Sequence, residues 1–278
     1  MRMNSQSLSY LDYSKIKKKE NKVSPKKIAV ITGGSGRIGS VFLNELIFNN
    51  YICICLSREK KKKKELKKNI PKSKLKNIIW HKFNLNNPTS VTKVYQYLKK
   101  NYKTIDCMIN CAMSSNRGKN YIYNYKNYLN EMNGVFGTTF LLTEKILPLI
   151  RKSKNGKIIN VGSVWGTHAP RFEVYLDMDI GPTPIIASGK AAITQYTKFL
   201  ASRESKYNIV SNCLIPGWFP RKGKIERRDY IKKIIQNIPQ RRVGKLEDLI
   251  NAINFLLSDE NKYFNGQSLY VDGGYTAI

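Results

Sequence analysis

The stretch "TGGSGRIG", residues 32–39, joins a run of apolar residues to a segment with helical spacing. Glycines there let the backbone turn tightly and approach a pyrophosphate, whose charge would rest on the N-terminus of the following helix. Gly33, Ser35, Gly36, Arg37, Ile38 and Gly39 are therefore the candidate phosphate-binding residues. An acidic side chain at the end of the second strand would take an adenosine 2′-hydroxyl and signal NAD. The sequence has Ser57 and Arg58 there instead, with Arg37 nearby in the glycine turn. Guanidinium groups and a hydroxyl suit a 2′-phosphate, so NADP is expected, with NAD as the alternative. Five cysteines (53, 55, 107, 111 and 213) sit in apolar runs without metal-ligand spacing, and no metal site is expected. Of the two histidines, His81 lies in an apolar strand-like run, while His168 follows a serine-bearing loop and could face a pocket.

The elements that must position these residues are legible in the hydrophobic pattern. "KIAVITGG", "YICICLS", "IIWHKFNL", "IDCMINCA", "KIINVGS", "NIVSNCLI" and "QSLYVDG" read as buried strands. Helical spacing separates most of them, over 88–101, 126–149, 187–205 and 245–257. Strands alternating with helices predict a single-domain, Rossmann-like doubly wound α/β fold with about seven parallel strands. Residues 1–25 are polar and basic and read as an extension, leaving 26–278 as the nucleotide-binding domain.

The formal net charge of +30 raises the prospect of a nucleic-acid partner. The excess is in lysine, accompanied by abundant Asn, Ile and Tyr, which marks A/T-rich codons. The lysines cluster in runs rather than interleaving with arginine and aromatics on a base-stacking surface. No specific nucleic acid is expected. There is no apolar run long enough to span a membrane and no secretory leader, and buried thiols suit a reducing compartment, so a cytoplasmic protein is expected.

With these residues in view, the chain resembles the short-chain dehydrogenase/reductase family from about Lys26 to the C-terminus. "TGGSGRIG" resembles its N-terminal motif, with Arg37 at the middle glycine of the commonest pattern. "INCAM" resembles the asparagine–alanine motif after the fourth strand, through Asn110 and Ala112. "INVGSVWG" sets Ser163 on the catalytic serine, and "CLIPGWFP" sets Pro216 and Gly217 on the loop that walls the nicotinamide. The tail "IPQRRVGKLEDLINAINFLLSDENKYFNGQSLYVDGG" is the most specific signal of all. The resemblance further implies that Asn84 and Leu85 lie at the adenine and that Asn133 serves the proton relay. It implies that Lys190 holds the nicotinamide ribose, and that the chain is an oxidoreductase acting on a carbonyl or hydroxyl of a small molecule. It also implies a homodimer or homotetramer built on the two long mid-chain helices. The 163–190 interval is longer than usual and resembles a subgroup linked to bacterial surface-sugar and flagellar-glycan gene sets, which suggests a sugar substrate.

One family residue is missing. The family places a tyrosine four residues before its lysine, on the same helix face, where the cation lowers the phenol and makes it the general acid. Here the lysine is Lys190 and the tyrosine position holds Ile186. Three readings follow: a substitute donor, with Tyr175 in the insert as the candidate; a nucleotide-binding pseudo-enzyme with little turnover; or a scaffold.

Overall fold

The computed structural model describes residues 26–58, 70–114, 124–175, 183–220 and 228–278. The basic stretch 1–25, the lysine-rich stretch 59–69 and insert residues 176–182 lie outside the described residues. The strands are β1 (Lys27–Thr32), β2 (Tyr51–Ser57), β3 (Ile78–Lys82), β4 (Cys107–Asn110), β5 (Gly156–Val161), β6 (Ile209–Pro216) and β7 (Ser268–Val271). All pair in parallel, in the order β3-β2-β1-β4-β5-β6-β7. The seven expected strands are all present, in a Rossmann-like sheet.

Side-chain alternation along the strands feeds two layers of core. Ala29 and Ile31 of β1, with Cys107 and Ile109 of β4, pack with Phe42 and Leu46 of α1 (Arg37–Phe48). Ile253 and Leu256 of α7 (Ile250–Leu257) close the same layer. Val30 and Met108 point the other way. They meet Val94 and Leu98 of α2 (Pro88–Asn101), Leu142 and Ile146 of α4 (Thr138–Ile150), and Leu200 of α5 (Pro184–Glu204). Cys53 and Cys55 share the first layer, as their spacing requires. Because both sheet faces are covered, nearly every residue of β1, β4, β5 and β6 is buried.

The sequence's long helix over 126–149 is interrupted. It runs as α3 (Tyr125–Met132), then a π turn over Asn133–Gly137, then α4. A π turn inserts a residue into the helical period and rotates the face that follows it. A further helix, α6 (Arg228–Gln236), had no counterpart among the predicted helical segments. Among the described residues, no helix is long and apolar enough to cross a membrane.

Candidate active site

Strand order reverses between β1 and β4, so the chain leaves their C-terminal ends in opposite directions and opens a crevice there. Thr32 Oγ1 closes the base of that crevice by accepting the amides of Cys111 and Ala112, at 3.1 Å each. The glycine turn folds against the same segment. Gly33 has φ +70°, and a Cβ there would stand 2.8 Å from Ala112 Cα. A Cβ at Gly39 would fall 2.1 Å from the Gly33 carbonyl oxygen. No side chain caps the N-terminus of α1, which begins at this turn. The result is a cradle of backbone with an open helix end, which fits the pyrophosphate of a dinucleotide.

From the cradle a cleft of about 380 Å³ runs along the sheet edge. It brings together Gly33, Ser35, Gly36, Arg37, Ile38, Gly39, Ser57, Arg58, Leu85, Ala112, Ser163, Lys190, Pro216 and Gly217, all named from the sequence. Ile186 lines it too and is only 2 % exposed. Thr183 fixes the start of α5, its Oγ1 accepting the Ile186 amide at 3.3 Å. The helix therefore presents Ile186 and Lys190 one turn apart on the cleft face. Ser163 follows β5, where its Oγ accepts the Trp165 amide at 3.3 Å. Lys190 is buried and donates to the Val161 carbonyl at 2.7 Å. Burial lowers its pKa from the ordinary lysine value, opposed by Cys111 and Cys213 nearby.

Four residues expected at the site are elsewhere. Asn133 is exposed on the π turn, while Val135, two residues on, is buried and abuts Gly189 beside Lys190. The π turn brings Val135 rather than Asn133 to the face that meets α5. Asn110 lies beneath the cleft, its Nδ2 donating to Thr143 Oγ1 (3.0 Å) and Asn160 Oδ1 (2.8 Å), so it braces β4 against β5. Asn84 is exposed, and its side chain accepts the Asn86 amide in a turn. Tyr175 is 7 % exposed and does not line the cleft. Its ring packs 6.2 Å from both Trp165 and Trp218 and 5.8 Å from Tyr230. Burial drives its phenol well above the ordinary value, the reverse of what a proton donor needs.

Arg37 departs in part from expectation. It lines the cleft, but its guanidinium donates to the Phe219 carbonyl and ties the glycine turn to the loop after β6. Arg58 is exposed at the end of β2. The histidines are peripheral: the His81 ring lies tilted against Tyr97 (4.8 Å), and exposed His168 stands edge-on to Tyr270 (6.4 Å). The sequence reading missed Phe83, Cys111, Met113 and Trp165, and also Leu56, Val161 and Gly162, which complete the walls. Their only signal was adjacency to the motifs, Cys111 and Met113 flanking Ala112 and Trp165 following Ser163 by two.

A family model described as enoyl-(acyl carrier protein) reductase matches residues 50–276. A 3-oxoacyl-(acyl-carrier-protein) reductase from Buchnera aphidicola is 28% identical over 253 residues, spanning 90% of this chain and 97% of the relative. Post-translational flagellin modification protein A from Campylobacter coli is 25% identical over 255 residues, spanning 90% and 98%. A solved short-chain dehydrogenase from Leptospira borgpetersenii with bound NAD+ superposes with TM-score 0.77 at 28% identity, spanning 90% and 93%. Fold, glycine cradle, serine–lysine cleft and matched length agree: the chain belongs to the short-chain dehydrogenase/reductase family.

Proposed function

We propose that the protein is an NAD(P)-dependent oxidoreductase that interconverts a carbonyl and a hydroxyl on a small molecule, with NADP preferred. The observation that carries this reading is the single cleft running from the Gly33–Gly39 cradle and Arg58 to Ser163, Lys190 and Pro216. Gly33, Gly36 and Gly39 would hold the pyrophosphate, Arg58 the 2′-phosphate, and Pro216 with Gly217 the nicotinamide wall. When bound, the nicotinamide supplies or accepts the hydride; Ser163 orients the substrate oxygen. The relative named for flagellin modification, together with the long 163–190 interval, supports a surface-sugar precursor as substrate. NADPH is expected to bind about tenfold more tightly than NADH, since one charge-assisted contact contributes on that order. Quenching of protein fluorescence on titration measures both. Equal affinities, unmoved by Arg58→Ala, would remove the NADP assignment.

Ile186 favours a second reading, a nucleotide-binding protein without turnover, because an alkyl side chain stands at the position of the family's acid. Both readings include a homodimer or homotetramer. Phe140 and Leu141 on α4 and Phe199 on α5 are 39 to 54% exposed, more apolar surface than a solvated helix pair carries. Light scattering at micromolar concentration should give a multiple of the 32.0 kDa chain; a single-chain mass counts against the assembly.

A further inference from the structure

We infer that Lys190 is itself the proton donor and acceptor of the reaction, filling at the cleft wall the part that a phenol at position 186 would otherwise take. The inference rests on the oxidoreductase reading above and concerns how the same site moves its proton.

Among the described residues at the Ser163 end of the cleft, few side chains carry a proton that could be released. The Ser163 hydroxyl accepts the Trp165 amide and keeps its own O–H for a hydrogen bond, but as an ordinary alcohol it does not ionise near neutrality. The Trp165 indole donates hydrogen bonds without ionising. Burial pushes the Cys111 thiol up to about 12, against the pull of Lys190, so it keeps its proton near neutrality. Ile186 has none. Lys190 remains. Its ammonium carries three N–H donors, one of them bound to Val161 O at 2.7 Å.

Its surroundings suit the task. Among the described residues, the titratable groups acting on it are Cys111, after β4, and Cys213, of β6. The π turn packs against its helix through apolar Val135, and the turn after Ser163 packs against its own backbone through Gly166. Among the described residues, no carboxylate is one of the groups that hold the ammonium charged. Desolvation, the largest effect on it, brings a lysine toward the range where it exchanges protons at working pH.

The chemistry balances. As hydride reaches the carbonyl carbon, the C=O electron pair moves to oxygen and Lys190 releases one proton to it. The neutral amine then recovers a proton from solvent. One carbonyl, one reduced nicotinamide and one proton give one alcohol and one oxidised nicotinamide. In the reverse direction the neutral amine takes the hydroxyl proton.

Three measurements on the full chain test this. Competitive acetylation across pH, followed by peptide mass spectrometry, titrates Lys190 in the parent without any substrate. Fluorescence titration gives NADPH affinity in the parent and in Lys190→Arg, which keeps the cation and donors but does not deprotonate. Reduction of isatin by NADPH gives the rate. Lys190 should titrate below the other lysines, and the parent rate should fall as pH rises through that midpoint. Lys190→Arg should still bind NADPH measurably yet lose about 10²–10⁴ in rate at saturating NADPH. An arginine variant with the parent's rate overturns the inference, as does a Lys190 that titrates with the bulk. A parent that binds NADPH but reduces nothing also overturns it and leaves the binding-only reading standing. A parent that binds no NADPH sinks the oxidoreductase reading itself. The acetylation measurement needs only the parent, so it decides even if the arginine variant does not fold.

Discussion

Ile186→Tyr is expected to raise the rate of NADPH-dependent reduction of an activated carbonyl, by the part of a positioned general acid's roughly 10²–10⁴ that Lys190 does not already supply in the parent. The backbone is already prepared for it. Thr183 caps α5 at the Ile186 amide, and Ile186 lies on the cleft wall one turn before Lys190. Although Ile186 is buried, it borders the cleft, so a tyrosine there is placed to reach it. The nearby ammonium would favour its phenolate, lowering the phenol toward working pH. Tyr175→Phe separates this account from one in which the insert delivers the acid. Because Tyr175 is packed among Trp165, Trp218 and Tyr230, its hydroxyl should be dispensable and the rate unchanged within about twofold. A collapse of rate in Tyr175→Phe would restore Tyr175 as donor. An active parent indifferent to Ile186→Tyr, Tyr175→Phe and Lys190→Ala alike would put the chemistry somewhere else in the molecule.

Gly39→Ala is expected to weaken nucleotide binding and lower stability together. Its Cβ would fall 2.1 Å from the Gly33 oxygen and 2.8 Å from the Gly33 carbonyl carbon. Both are backbone atoms of the turn itself, so no side-chain rotation can relieve the overlap. Helix α1 has to shift away from β1, which opens the cradle that its N-terminus completes. Overpacking of this kind costs about 1–3 kcal/mol. In a chain of this size that corresponds to a fall of roughly 2–12 °C in Tm, at about 2–4 °C per kcal/mol. Loss of the aligned amides should weaken NADPH by on the order of a hundredfold or more, two charge-assisted contacts' worth. Gly36→Ala makes the comparison, since its Cβ would stand 3.0 Å from the same oxygen and should cost less. Calorimetry and fluorescence titration that found Gly39→Ala equal to the parent in both respects would refute the cradle.

The seven strands and their parallel sheet were written in the sequence, because a strand covered on both faces must be apolar throughout. "KIAVIT" and "KIINV" could hardly be anything else. The glycine turn was equally legible, since a side chain at Gly33 would run into Ala112 at a left-handed φ and one at Gly39 into the Gly33 oxygen. So was the pairing of Ile186 with Lys190, which depends only on the helical period. What the sequence could not supply was direction. The π turn at Asn133–Gly137 exposes Asn133 and buries Val135 against α5, a change that spacing alone does not announce. Tyr175 could have faced the cleft or the core, and the three aromatic rings around it decided for the core. Arg37 was placed correctly in the turn, but its bond to Phe219 O spans 182 residues of chain. Local periodicity fixes which residues share a face of one element. Which face meets the ligand is set by packing between elements distant in sequence, and only the tertiary structure carries that.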